Sequence, residues 1–119
     1  YCMGGPLSFR TAAAVSDRIA AVGSFHGGGL VTDQPTSPHL LLPKTKAEYL
    51  IAVADNDDQA DPTVKDKLAA AMTAAGRPNS IEVYTGANHG WCVPGSAVYN
   101  EAAAEKAWAK LLALYRRAL

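Results

Sequence analysis

Cys2 is followed two residues later by Gly4, in a run Tyr1-Cys2-Met3-Gly4-Gly5 that leads into Pro6-Leu7-Ser8-Phe9-Arg10. The spacing is the back half of a nucleophile elbow, G-x-S-x-G or G-x-C-x-G, in which a strand turns sharply into a helix with the nucleophile at the apex. Gly4 is the second glycine of that pattern. The first would precede Tyr1, so the chain reads as a piece of a longer protein, entered one residue inside the motif. Taken alone, C-x-G describes a free, partly buried cysteine in a turn equally well. Two later stretches change that balance. Asp55-Asn56-Asp57-Asp58-Gln59-Ala60-Asp61-Pro62 gathers four carboxylates, and Thr85-Gly86-Ala87-Asn88-His89-Gly90-Trp91-Cys92 carries a histidine beside a glycine. A thiol, a carboxylate and an imidazole are the parts of covalent acyl transfer: nucleophile, orienting acid and base.

The elements between these stretches must bring them together. Gly5 to about Val15 reads as a helix, with Pro6 suited to a first helical position and Thr11-Ala12-Ala13-Ala14 of high propensity. Ser16-Asp17-Arg18 ends it. Ile19 to Phe25 is apolar almost throughout, as a central parallel strand covered on both faces would be. His26-Gly27-Gly28-Gly29 follows at its C-terminal end, where ligand sites of open α/β sheets lie. Three glycines also serve simply to turn the chain, and they match neither a dinucleotide nor a phosphate loop. Thr32 to Pro43 has the composition of a loop. Ala47 to Ala54 is the clearest strand. It runs into the acidic stretch, read as a turn, in which Asp61 or Thr63 can cap a helix from Pro62 to about Ala75. An EF-hand is excluded, because its glycine and closing glutamate are absent. Gly76 closes that helix, and Ser80 to Tyr84 alternates like a half-covered edge strand. Asn100 to Leu119 is a final helix, with Ala104, Ala107, Trp108, Leu111, Leu112 and Tyr115 as its apolar stripe.

Strands alternating with helices predict an α/β fold with a mostly parallel sheet flanked by helices. A nucleophile, then an acid after a later strand, then a histidine after the last strand is the order of the α/β-hydrolase triad. Residues 1–119 thus read as a single partial domain of that type, beginning at the elbow.

Tyr-Cys-Met-Gly-Gly, the Asn-Asp turn and His-Gly-Trp together resemble the dienelactone hydrolase family, and the resemblance spans essentially the whole chain as the C-terminal half of that fold. It implies Cys2 as nucleophile and His89 as base. It implies a triad acid in the turn after the penultimate strand, where Ala54 stands in place of the glycine of the family's Gly-x-x-Asp. Asp57 takes the acid position, with Asp55 and Asp58 as neighbouring alternatives. The implied activity is hydrolysis of dienelactones or other small esters and lactones, with no cofactor and no metal.

Those residue types suit that chemistry. A free thiol titrates near 8.5 and must lose its proton to attack an ester. A helix N-terminus behind it favours the anion. His89 would accept the proton and later activate water, while Asp57 fixes the imidazole tautomer. The Met3 backbone N–H would supply half an oxyanion hole. His26 is a candidate pocket residue, Trp91 reads as either a pocket wall or a core anchor, and Arg10 is a candidate for a substrate carboxylate, although a surface ion pair explains Arg10 as well. His39 reads as surface and Cys92 as packing.

Composition narrows the alternatives. Eleven basic side chains balance eleven acidic ones, which leaves no electrostatic footprint for nucleic acid or for an anionic membrane. No apolar run approaches the ~20 residues of a spanning helix. The expected partner is a small ester or lactone, not nucleic acid or membrane. Cys2 and Cys92 form neither a disulfide framework nor a metal spacing, and a cytoplasmic setting is the expectation. The reading from a different class is a non-catalytic α/β binding or interaction module, inactive because the earlier half of the sheet is absent. A thiol-redox protein would need a C-x-x-C that the chain lacks.

Overall fold

The computed structural model describes residues 1–119. Three strands, β1 (Ala21–Phe25), β2 (Glu48–Ala54) and β3 (Asn79–Tyr84), form one parallel sheet in the order β1-β2-β3. Around it lie α1 (Gly4–Ala14), α2 (Asp55–Ala60), α3 (Thr63–Ala75) and α4 (Glu101–Ala118). The predicted α/β architecture is therefore observed. The central strand of the three is β2, whereas β1 pairs on one side only.

Strand periodicity divides the core in two. Successive side chains of a strand point to opposite faces, and in β2 Tyr49 and Ile51 join Phe9, Leu42, Leu68 and Met72 on one face. Leu50, Ala52 and Ala54 join Phe25, Tyr84, Trp91, Leu111 and Leu114 on the other. Because β2 feeds both cores, Tyr49 to Ala54 are apolar throughout, as a strand covered on both faces requires. Parallel pairing also sets all three C-terminal ends, Phe25, Ala54 and Tyr84, along one edge of the sheet. The segments that leave that edge carry His26, Asp57 and His89.

Three expectations need correction. The acidic stretch is the short helix α2, not a turn. Asp and Asn are weak helix formers, but three acidic side chains in its first turn oppose the positive end of the helix dipole, and the Asp55 N–H donates to the Ala87 carbonyl. Within the expected loop, Pro38–Lys44 is a 3₁₀ helix. Pro38 presets its first turn, the Ser37 hydroxyl accepts the Thr32 N–H at 2.8 Å, and buried Leu42 anchors it.

The buried face of α4 is Ala107, Leu111 and Leu114, whereas Trp108 is 52 % exposed and Tyr115 also lies outside. Ala104, Ala107 and Leu111 of the predicted stripe do face the core, but Leu114 takes the place of Trp108 and Tyr115, because both faces of this alanine-rich helix offer apolar residues and only the sheet selects one. Asn100 caps α4 by accepting the Ala103 N–H. Asp61 caps α3 from one residue farther out than usual, accepting the Thr63 N–H and hydroxyl. No helix is long and apolar enough to cross a membrane.

Candidate active site

The elbow is a tight turn laid against the end of β1. The Cys2 N–H donates to the Phe25 carbonyl, Gly4 N–H to Tyr1, and Gly5 N–H to Cys2. Cys2 is held at φ +49°, and the only other non-glycine residue with positive φ is His26, at +43°. Such conformations cost on the order of 1–3 kcal/mol each and gather at functional sites. These two residues touch: Cys2 Sγ lies 3.3 Å from His26 Nδ1.

The close approach that the elbow needs is provided by Gly5, not by Gly4 of the motif. A Cβ on Gly4 would meet nothing within 4 Å. On Gly5 it would meet Ser24 Oγ at 2.6 Å and the Gly27 Cα at 3.2 Å. Gly27 is equally confined, since a Cβ there would stand 2.3 Å from Ser24 Oγ. The glycine turn after β1 thus lets the start of α1 rest on the sheet edge, backbone against backbone.

His89 reaches the same place from the other side of β2. Asp57 Oδ2 accepts from His89 Nδ1 at 2.7 Å. A carboxylate only accepts, so the ring proton sits on Nδ1 and Nε2 is the free nitrogen. One ligating atom from each of Cys2, His26 and His89 lies within 4.8 Å of the other two. Of the three acid candidates, Asp57 is the one the fold brings to the imidazole. Asp58 pairs with Lys65 at 2.7 Å, and Asp55 Oδ2 accepts the Gly86 N–H at 2.8 Å.

Asp55 has a further role that the sequence did not suggest, and so does Asn56. Asn56 Oδ1 accepts the His89 backbone N–H at 2.8 Å. The first three residues of α2 therefore hold the histidine loop at Gly86, at the His89 backbone and at the imidazole. The signal for this was present as three successive acceptor side chains at the end of a strand. Composition could not say which of them faced the loop.

His26 and Trp91 lie beneath the site, not on an open pocket wall. Both are fully inaccessible. His26 is pinned by its N–H to the Ala52 carbonyl and stands edge-on to Trp91, ring centroids 4.9 Å apart. Trp91 in turn stacks on Tyr84 at 4.9 Å. Trp91 is a core anchor under the site, and His26 is a buried neighbour of the thiol. Burial, reinforced by the adjacent His89, pushes the His26 pKa down to about 4, so its ring is neutral at physiological pH. Its Nε2 has no partner.

Arg10 lies elsewhere, lining a shallow cleft with Pro35, Thr36, Leu41 and Lys44. The Met3 N–H has no backbone acceptor, although its side chain is exposed. Cys92 is packed into the second core, and burial raises its pKa to about 11. His39 is partly covered and takes a 2.6 Å hydrogen bond with Ser37 Oγ. A separate cleft of about 190 Å³ lies between the glycine turn and α3, with Asp57 on its wall.

Among solved structures, one titled a putative dienelactone hydrolase from Klebsiella pneumoniae superposes with a TM-score of 0.84 at 23% identity, over 98% of this chain and 49% of that one. A second, titled m3DLH, gives a TM-score of 0.80 at 17% identity, over 100% of this chain and 50% of that one. The chain thus spans about half the length of the structures it matches, and at these identities the likeness is one of fold. No curated protein matches. The sequence does match the dienelactone hydrolase family over residues 1–119, and the chain belongs to that family.

Proposed function

We propose that the full-length protein hydrolyses small carboxylic esters or lactones, dienelactones among them, through Cys2, His89 and Asp57 as nucleophile, base and orienting acid. The chain would be the C-terminal half of the catalytic domain. One observation carries the reading. A cysteine strained at an elbow shares a 4.8 Å cluster with an imidazole whose far nitrogen is held by a carboxylate.

In this scheme the Cys2 thiol gives its proton to His89 Nε2 and the thiolate adds to the carbonyl carbon. The oxyanion that forms is met by the Met3 N–H, a donor worth on the order of 10²–10³ in rate at such positions. Collapse expels the alkoxide, which takes the proton back from His89; from a lactone it stays tethered to the acyl group. Water, giving a proton to His89, then adds to the thioester carbon; collapse breaks the carbon–sulfur bond, frees the acid product and returns the proton from His89 to the Cys2 sulfur. Asp57 keeps the ring in the tautomer that presents Nε2 and stabilises it when charged.

Substituting Cys2→Ala in the full-length protein should abolish hydrolysis of p-nitrophenyl acetate and of dienelactone. Rapid quenching of the unsubstituted protein should give an acyl adduct on the peptide containing Cys2. Undiminished turnover in the alanine variant would remove the proposal.

A further inference from the structure

Cys2, His26 and His89 offer one sulfur and two nitrogens, each within 4.8 Å of the others. Ligands on a tetrahedral zinc ion, at about 2.3 Å for sulfur and about 2.0–2.1 Å for nitrogen, stand roughly 3.4–3.6 Å apart. The Cys2 Sγ to His26 Nδ1 separation, 3.3 Å, already matches that spacing. The third ligand, within 4.8 Å, must draw in to that spacing, and its side chain is 38 % exposed. His26 is the fixed point, with its backbone bonded to β2 and its ring set against Trp91.

The outer shell suits a metal as well. Imidazoles that bind zinc commonly donate their other N–H to a carboxylate, which sets the tautomer and raises basicity. His89 makes that bond to Asp57 at 2.7 Å. Thiolate with two imidazoles is a soft donor set that favours Zn²⁺ and its thiophilic relatives over Mg²⁺ or Ca²⁺.

We infer that Cys2, His26 and His89 form a binding site for a thiophilic divalent cation, with zinc as the fitting ion, and that its occupation reversibly silences the hydrolase. Binding replaces the thiol proton, which passes to the solvent, by a sulfur–metal bond. The same ion occupies His89 Nε2, so nucleophile and base are withdrawn together. No motif spacing announces the site, since the three ligands stand far apart in the chain. The ion here is an inhibitor, not a cofactor. The inhibitory half of the inference rests on the proposed hydrolase mechanism, and the binding half does not.

Cobalt titrated into the metal-free full-length protein separates the two. The expected result is a thiolate-to-cobalt charge-transfer band with the intense visible absorption of tetrahedral cobalt, saturating at one equivalent and displaced by zinc. Cys2→Ala should erase the band. His89→Ala and His26→Gln should each weaken binding at least tenfold, with circular dichroism confirming the fold. Asp57→Asn should weaken it by about 10- to 100-fold, the usual cost of losing such an outer partner. No charge-transfer band, or a band indifferent to both histidine variants, would overturn the site. Binding that leaves metal-free hydrolysis uninhibited would overturn the silencing. A protein that binds cobalt but never hydrolyses esters upholds the site and removes the hydrolase reading alone.

Discussion

The loop after β1 and the loop after β3 each carry a histidine to the same thiol, and the two are built in opposite ways. His26 follows its strand directly, is fully buried and has one ring nitrogen without a partner. His89 stands five residues beyond its strand and is 38 % exposed, with its Nδ1 bonded to a carboxylate. Burial, reinforced by the neighbouring His89, holds the first neutral. The carboxylate bonded to the second fixes its ring orientation and tautomer, as the base of the proposed mechanism requires. On the proposed mechanism, the contrast suits the more exposed, acid-backed ring to proton transfer and leaves the buried one as a fixed neighbour of the sulfur.

If that division is correct, His89→Ala should lower kcat/KM by about 10²–10⁴, the range that a general base contributes. His26→Gln, which keeps a polar group beside the thiol, should cost much less. Steady-state kinetics on both variants decide the matter, and a larger loss at His26 reverses the assignment. The next effect is on stability. Trp91 supports His26 and is fully enclosed, so Trp91→Ala should destabilise the fold by about 3–5 kcal/mol in chemical denaturation. Equal stability would show that the buried ring is not held from below.

The neutral state of His26 has a pH signature of smaller size. Its folded pKa of about 4 lies below the ordinary 6.5, so between those values the unfolded chain binds a proton that the native one refuses. Stability is therefore full above about pH 6.5 and declines as pH falls towards 4, by about 2–3 kcal/mol. Denaturation curves at pH 7 and pH 4.5 measure it, and His26→Gln should flatten the difference.

Asn56→Ala, which frees the His89 backbone N–H, should cost about 1 kcal/mol and lower kcat more than it raises KM. The least effect belongs to Cys92. With its pKa raised to about 11, iodoacetamide at pH 7.5 should alkylate Cys2 and spare Cys92, as peptide mass mapping would show. Cys92→Ala should leave hydrolysis unchanged.

Much of this was legible in local chemistry. The apolar run at Tyr49–Ala54 and the glycine that ends α3 each come from one stretch of residues, and the order thiol, acid, histidine from three; they suffice for the α/β class, and the family resemblance adds Cys2, Asp57 and His89 as candidates. What stayed open or failed were assignments in which several chemically similar residues compete. Gly4 and Gly5 differ only in what lies opposite, and Ser24 and Gly27 are opposite Gly5. Trp108 and Leu114 both fit an apolar stripe, and the sheet buries Leu114. Asp55, Asn56 and Asp57 divide among three partners on one loop because a helical turn points each in a different direction. The sequence determined by itself which elements form and which groups can react, since propensity and ionisation belong to the residue. Only the tertiary structure decided that a second histidine stands against the sulfur, because that contact joins positions 24 residues apart across a backbone bent into conformations that neither residue favours alone.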